Sequence, residues 1–238
     1  NNTISGLTIT GGFASGENIF NTLGGGIFTM KSEYKLNDLR ISGNKATHNV
    51  GGGGICIAYS DAILSNITIN ENEVISDQGP AGGIYIIFSN LILSNSNIRN
   101  NSGAGGLFYF TDAFMSNVII TENQSYGIGF GWSNPIFTNV TISNNISDAG
   151  FAATLFMESN PIFINTIIWG NSPESISFSD TLSNPLISYS NIEGGWEGEG
   201  NIDIDPLFVD PDNGNYSLHE NSPCINSGNP NPIYNDLD

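Results

Sequence analysis

The chain has 238 residues, 29 of them glycine, and its 23 acidic and 5 basic side chains give a formal charge of −18. This charge excludes nucleic acid and anionic membrane surfaces as favoured partners, because their phosphates would be repelled. No stretch has the length and apolarity of a membrane span, so we expect that this segment does not cross a membrane. The two cysteines, Cys56 and Cys224, are too few for a disulfide framework.

One short motif recurs along most of the chain: an apolar residue, any residue, Ile, two further residues, then Asn. Its isoleucine and asparagine positions are Ile41 with Asn44, Ile69 with Asn72, Ile98 with Asn101, Ile120 with Asn123 and Ile142 with Asn145. A period of between 22 and 29 residues predicts stacked repeats, or rungs. Residues 1–9 resemble the end of one rung, which predicts a fragment of a longer chain whose targeting signals lie outside it.

Two further motifs recur in step with the first. A Gly-Gly pair precedes an apolar strand at residues 25–28, 53–57, 82–86 and 105–109. A polar pair of Ser or Thr with Asn or Asp opens a strand at residues 60–64, 89–93, 111–115, 133–137, 159–163 and 183–187. Each rung is therefore predicted to contain three short strands separated by tight turns.

In chain order the rungs differ in length. Residues 5–64 predict two long rungs and 65–93 a third, with projecting loops at residues 13–23, 45–50 and 73–80. The next rungs, at 94–115, 116–137, 138–163 and 164–187, are shorter, and the pattern decays from Ser188. We predict one domain of about eight rungs over residues 1–208, and an irregular C-terminal cap with the start of a linker over residues 209–238.

Two repeat architectures fit the recurring motif. Leu64, Ile67, Ile69 and Asn72 also satisfy the consensus of a leucine-rich repeat, which returns through a helical segment. The return path here contains Gly-Gly, β-branched and aromatic residues, and Asn-Pro, all of which oppose a helix. We therefore predict an all-β fold, a right-handed parallel β-helix, or solenoid.

In a β-helix, strand alternation assigns residues to the inside or the outside. We expect the motif asparagines to hydrogen-bond from rung to rung as a structural ladder: Asn44, Asn72, Asn101, Asn123 and Asn145. Ile27, Ile55, Ile84 and Leu107 are predicted to form one core column, with a column of Phe28, Cys56, Tyr85 and Phe108 facing outward.

Soluble proteins rarely leave an apolar strip of this kind bare. Either the projecting loops cover it, or it is a recognition surface on which Phe28, Tyr85 and Phe108 stack on sugar rings. Cys56 and Cys224 are predicted to lie many rungs apart and to remain unbonded.

The Gly-Gly-Ile strands and the Ile69-Asn70-Glu71-Asn72 pattern resemble the repeats of polymorphic outer-membrane proteins and of secreted bacterial surface proteins with a pectate-lyase-like fold. Residues 205–210 and 221–228 resemble the segment that ends the β-helix in many such secreted proteins. The resemblance implies a non-enzymatic extracellular or cell-surface protein, of stalk or adhesin type, that binds a polysaccharide or a cell-surface partner. A polysaccharide lyase, glycoside hydrolase or carbohydrate-binding module on the same fold is the alternative.

The sequence shows no catalytic constellation. An acidic-sugar lyase needs a basic group beside a carboxylate, and Arg40 and Arg99, predicted on neighbouring rungs, are the basic residues on repeat strands. A hydrolase would need two carboxylates about 5 to 10 Å apart, which the repeats do not suggest. Asp203, Asp205, Asp210 and Asp212 are the densest group of oxygen ligands and are the candidate calcium ligands.

Overall fold

A computed structural model describes residues 2–16, 23–47, 51–75, 81–147 and 154–234. In these residues the structure is all-β and forms a parallel β-helix, so the predicted fold class is confirmed. No helix in this part of the chain is long and apolar enough to cross a membrane.

The strands of the first half are β1 Asn2–Ser5, β2 Thr8–Thr10, β3 Phe13–Ala14, β4 Ile27–Met30, β5 Glu33–Ser42, β6 Lys45–Ala46, β7 Ile55–Ala58, β8 Asp61–Asn70, β9 Glu73–Val74, β10 Ala81–Ile87, β11 Asn90–Arg99 and β12 Ala104–Tyr109. Those of the second half are β13 Ala113–Thr121, β14 Ile128–Gly131, β15 Ile136–Ser143, β16 Thr154–Met157, β17 Ile162–Ile164, β18 Ile167–Trp169, β19 Ile176–Phe178, β20 Leu186–Ser188, β21 Asn191–Ile192, β22 Phe208–Asp210 and β23 Asn215–Leu218. Two short 3₁₀ turns cover Pro211–Asn213 and Pro232–Tyr234.

Two long parallel sheets form the walls of the helix in the described residues. The first follows the order β1-β5-β8-β11-β13-β15-β17-β20, and the second follows β4-β7-β10-β12-β14-β16-β19. In the first sheet, two of the predicted strands of a rung run on as one strand of up to ten residues. That strand turns a corner at a residue with positive φ, for example Asn66 or Asn95.

The projecting loops begin with regular structure. Strands β3, β6 and β9 form a small third sheet of parallel strands at the start of the three predicted loops. Residues 17–22, 48–50 and 76–80 of these loops lie outside the described residues.

The core lies between the two long sheets and consists of aligned columns. Ile41, Ile69, Ile98, Ile120 and Ile142 stack in register, and each is 0% exposed. Later rungs add stacked phenylalanines, such as the Phe137–Phe163 pair with ring centroids 4.5 Å apart. The one-dimensional repeat of the sequence thus becomes a continuous apolar core that no single rung could bury alone.

The segment after the last rungs folds back along the flank of the helix. The Tyr216 hydroxyl donates to Glu122 Oε1 at 3.0 Å, and the Asn229 amide donates to Asn165 Oδ1 at 2.7 Å. Asn139 Nδ2 donates to the carbonyl of Tyr234 at 3.2 Å. Residues 209–234, predicted as a cap and the start of a linker, therefore pack against much earlier rungs.

Candidate functional site

The motif asparagines form a buried ladder inside one corner of the helix. At each step the Oδ1 atom of one asparagine accepts from both the backbone N and the Nδ2 of the asparagine one rung earlier, at 3.0 to 3.1 Å between Asn72 and Asn101. The same pattern continues through Asn123 and Asn145 to Asn171. The amides are fully used by the fold, so this ladder is not a ligand site.

One glycine of each Gly-Gly pair packs closely against this ladder and against a backbone carbonyl of the next rung. A Cβ on Gly105 would lie 2.7 Å from Asn123 Nδ2, and one on Gly54 would lie 3.0 Å from Asn72 Nδ2. A larger residue would push the strand away from the asparagine amide, since real Cβ atoms rarely approach so closely.

The predicted outward column of Phe28, Tyr85 and Phe108 is corrected by the register of the second sheet. Phe28 pairs with Cys56 and Cys56 with Tyr85, but Tyr85 then pairs with Leu107. Phe108 aligns instead with Ile86 and is 0% exposed in the main core.

The cause is a bulge between the pair Ala81–Ala104 and the pair Ile84–Gly106. Strand β10 advances three residues between these pairs, and strand β12 advances only two. Leu107 therefore leaves the predicted core column and faces outward, while Phe108 faces inward.

The remaining outward residues of this column are also covered. Tyr85 is 7% exposed and packs with Cys56, Leu107 and Tyr126 in a second apolar cluster, and Phe28 is half-buried against it. Burial raises the pKa of the Tyr85 hydroxyl strongly. A sugar cannot stack on rings that are buried in this way, so this surface does not offer the predicted binding site.

A different set of aromatic side chains is exposed. It is the aromatic column, formed by Tyr59, Phe88, Phe110 and Trp132, one from each of four successive rungs. Successive ring centroids are 5.1, 4.7 and 5.0 Å apart, with interplanar angles of 17°, 10° and 5°. The four side chains are between 43% and 54% exposed. Phe88 and Phe110 are stacked on both faces, so they present only their ring edges to solvent.

All four residues of the aromatic column have an unfavourable backbone conformation. Their φ values are 50°, 49°, 50° and 51° in chain order, in the left-handed region that L-residues other than Asn, Asp and Gly rarely adopt. The other positive-φ corners of these rungs are occupied mainly by asparagines, which accept the left-handed conformation, such as Asn66, Asn95 and Asn117. Each such aromatic corner costs about 1–2 kcal/mol, and a ring pair returns about 0.5–1.5 kcal/mol.

Buried hydroxyls hold the corner in place. The Ser60 hydroxyl donates to the Ala58 carbonyl at 2.8 Å, and the Ser60 amide donates to Ser89 Oγ of the next rung at 3.0 Å. In the same way, the Thr111 amide donates to Ser133 Oγ of the next rung at 3.0 Å. The ladder of hydroxyls fixes the chain just after each ring and so aligns the rings.

Two further columns run parallel to the aromatic column. The first is the polar ridge, which consists of the exposed residue two positions after each aromatic ring: Asp61, Asn90, Asp112 and Asn134. Its members are joined by contacts such as Asn90 Nδ2 to Asp61 Oδ1 at 2.8 Å. Beyond it lies an apolar column formed by Ile63, Ile92, Phe114 and Ile136.

Clefts lie on both sides of the polar ridge. One of about 500 Å³ is bounded by Lys31, Tyr59, Asp61 and Phe88, on the side of the aromatic column. The other, about 480 Å³, is bounded by Lys35, Ile63, Asn90 and Ile92. The surface thus alternates apolar and hydrogen-bonding strips that repeat once per rung.

The four predicted calcium ligands are not brought together. No group of three or more His, Cys, Asp or Glu side chains that could hold a metal occurs in the part of the chain that the structure describes. Asp203 Oδ1 accepts from the Gly194 amide at 3.2 Å, and Asp205 Oδ1 accepts from the Leu207 amide at 2.9 Å. Asp210 accepts from Asn213 Nδ2, and Asp212 lies in the 3₁₀ turn that follows. The loop folds around these carboxylates without forming a common site.

The two arginines do not lie on neighbouring rungs, which corrects the sequence interpretation. Arg40 belongs to β5 and Arg99 to β11, with β8 between them, and Arg40 aligns with Thr68 and Asn97 rather than with Arg99. The cysteines are free, as predicted, with Cys56 buried and Cys224 half-buried.

Comparison with known proteins defines the family. Residues 1–134 and 82–200 match the right handed beta helix region, which together is well over half of the chain. The chain belongs to this family. The fold is shared by adhesins, enzymes and pentapeptide-repeat proteins, so membership establishes the architecture and leaves the activity open.

Other comparisons add no functional assignment. A comparison with curated proteins found no match. Among solved structures, that of a trypsin-treated variant of QnrB1, a plasmid-mediated fluoroquinolone resistance protein, is similar over 75% of this chain and 92% of that chain, with 10% identity and a TM-score of 0.22. This likeness is too low to support an argument about function.

Proposed function

We propose that the protein is a non-enzymatic extracellular or cell-surface β-helix that binds an extended neutral polysaccharide along its aromatic column. The observation that supports this is the column itself: four aromatic side chains, about half exposed, in backbone conformations that disfavour them. Neither burial nor backbone preference explains these residues. Strain and exposed apolar surface that persist together are typical of recognition sites.

The surface chemistry favours a saccharide chain. A polysaccharide repeats along its length, as the rungs do, and offers apolar C–H groups beside hydroxyls. The aromatic edges and the apolar column would contact the C–H groups, while the amides and carboxylates of the polar ridge would bond to the hydroxyls. The formal charge of −18 disfavours an acidic polysaccharide, so the proposed ligand is neutral.

Ring stacking within the column constrains how the ligand binds. Phe88 and Phe110 each have neighbours on both faces, so a sugar cannot insert between them. The chain would lie in the cleft between the aromatic column and the polar ridge, parallel to the helix axis. Affinity is then spread over several rungs instead of being concentrated in one pocket.

The test is retention on a panel of insoluble and immobilised neutral polysaccharides, with Phe88→Asn and Phe110→Asn as the variants. Asparagine accepts the left-handed conformation, so stability should change by no more than about 2 kcal/mol, while retention falls at least tenfold. Val209→Asn is the matched control, because Val209 is 50% exposed and outside the column. If Phe88→Asn and Phe110→Asn are retained on the polysaccharides as well as Val209→Asn, the proposal loses its basis. Surface labelling of the source cells tests the proposed extracellular or cell-surface location.

One observation favours glycoside hydrolysis as a second candidate. Glu33 and Asp61 are register partners in adjacent strands, and both line the two clefts. Neighbouring strands are about 4.8 Å apart, so side chains on register partners can bring two carboxyl groups to the 5–5.5 Å spacing of retaining glycosidases. New reducing ends that appear with wild type and vanish with Glu33→Gln and Asp61→Asn would establish this activity in place of simple binding.

A further inference from the structure

A third cleft lies far from the polar ridge, at the other end of the long strands. One wall is the flank of the helix, and the other is the hairpin of β22 and β23 with its 3₁₀ turn. Tyr216 joins the two walls: its hydroxyl donates to Glu122 Oε1 at 3.0 Å and accepts from Asn144 Nδ2 at 3.1 Å. The cleft measures about 980 Å³ and its lining includes Arg99, Glu122, Gln124, Asn144 and Asp212. We refer to it as the Arg99 cleft.

The guanidinium of Arg99 has no partner in the part of the chain that the structure describes, where the ion pair found is Lys45 with Glu73. Its register neighbours on both sides, Asn70 and Thr121, are each 1% exposed. Asn70 Oδ1 and Thr121 Oγ1 make no hydrogen bond. Two buried side chains on the strands that flank Arg99 therefore have unused hydrogen-bonding capacity, which is rare in a folded protein, and Arg99 between them is partly exposed.

Gly214 keeps the cleft open in front of this group. Its φ is 76°, and a Cβ at this position would lie 3.0 Å from Arg99 Nη1 and 3.9 Å from Glu122 Oε1. The donor and the acceptor thus border the same small gap. One molecule of modest size can contact both.

The charges decide which ligand fits this gap. A carboxylate could pair with Arg99 but would face Glu122 and Asp212, and an ammonium group would face Arg99. A neutral polyol supplies both donors and acceptors, which matches a guanidinium beside a carboxylate. We propose that the Arg99 cleft binds a single neutral sugar residue through two adjacent hydroxyls, one accepting from Arg99 and the other donating to Glu122.

The test is titration of the whole chain with glucose, galactose, mannose, N-acetylglucosamine and galacturonate, observed by NMR at the Arg99 Nε–H and the Tyr216 ring. We expect at least one neutral sugar to shift these signals saturably, and galacturonate to leave them unchanged. Arg99→Gln should weaken binding at least tenfold. Arg40→Gln is the matched control, since this arginine lies outside the cleft.

Folding and the choice of site are checked separately. Thermal melting of Arg99→Gln should match wild type, and Arg99→Lys should bind more weakly than wild type because it lacks the planar donor fork. Phe110→Asn should leave these shifts intact whether or not it abolishes polysaccharide retention. Three results would overturn the proposal: no neutral sugar shifts the signals, galacturonate binds more tightly than the neutral sugars, or Arg99→Gln binds as well as wild type.

Discussion

Asn101 lies in the middle of the asparagine ladder, and its truncation should be among the most damaging single changes in the chain. Its Oδ1 accepts from Asn72 N and Asn72 Nδ2, at 3.0 and 3.1 Å. Its Nδ2 donates to the Ile69 carbonyl at 3.1 Å and to Asn123 Oδ1 at 3.0 Å. Asn101→Ala removes all four bonds and leaves the buried Asn72 N–H without its acceptor. A stranded donor costs about 1–3 kcal/mol and each of the three other lost bonds about 0.5–1.5 kcal/mol, so we expect a loss of about 2.5–7.5 kcal/mol.

Asn101→Asp tests the direction of the bonds without changing side-chain shape. The introduced carboxyl can still accept from Asn72 but has no proton to donate to Ile69 or Asn123. Ionisation is therefore disfavoured, and the pKa of the introduced carboxyl rises in the folded state. The variant should be unstable at neutral pH and recover partly as the pH falls below that raised pKa, because protonation restores one donor.

The assay is urea denaturation followed by circular dichroism, with hydrogen exchange at the Asn72 amide as a local probe. Asn90→Ala is the matched control: its amide makes one exposed bond, to Asp61, and should contribute less than about 1 kcal/mol. If Asn101→Ala costs no more than Asn90→Ala, the ladder does not stabilise the fold as argued. If Asn101→Asp is equally unstable from neutral to acidic pH, the assigned bond directions are wrong.

Four more substitutions test the packing. Gly82→Ala would place a Cβ 1.9 Å from the Ser102 carbonyl oxygen, whereas Gly131→Ala would place a Cβ 2.7 Å from Tyr109 Cδ1. The Tyr109 ring can move aside and the Ser102 backbone cannot, so Gly82→Ala should have a much lower melting temperature than Gly131→Ala. Phe108→Ala should cost about 3–5 kcal/mol, and a loss of polysaccharide retention without loss of stability would contradict its core position. Burial raises the pKa of Cys56 from 9.0 to about 12, so the folded state keeps this thiol protonated. The contribution of the Cys56 thiol to the free energy of unfolding is complete below pH 9, and it falls by about 1.4 kcal/mol per pH unit as the pH rises toward 12. The free energy of unfolding of Cys56→Ala should therefore fall less steeply with pH over this range.

The repeat architecture could be predicted because its cause is local and recurs in every rung. The Asn72 side chain bonds to the asparagines one rung away on either side and to the Ile41 carbonyl, and the glycine opposite it must leave room for the amide. Because of these two requirements, asparagine and glycine recur at a fixed position in each rung of the sequence. The predicted core isoleucines, such as Ile69 and Ile98, follow from the same alternation and lie inside the helix.

The faces of the Gly-Gly strands could not be predicted in the same way. Strands β4, β7 and β10 share one register, but between the pairs Ala81–Ala104 and Ile84–Gly106 strand β12 has one residue fewer than β10. A shift of one residue exchanges inside and outside, so Leu107 and Phe108 change places. The motif Gly-Gly-apolar is identical in both registers. Only the pairing of the whole strand distinguishes them.

The aromatic column, in contrast, has a sequence signal that alternation does not detect. Each ring directly precedes the hydroxyl and the polar-ridge residue of its corner, as in Tyr59-Ser60-Asp61 and Trp132-Ser133-Asn134. Such a residue belongs to neither strand, so the inside–outside pattern assigns it no face. An asparagine there would satisfy the left-handed backbone, as Asn95 does at another corner of its rung. Four successive rungs instead carry an aromatic ring that strains the corner and exposes apolar surface, and sequences depart from local preferences in this way chiefly at functional sites. The polysaccharide surface is therefore best tested at these corners.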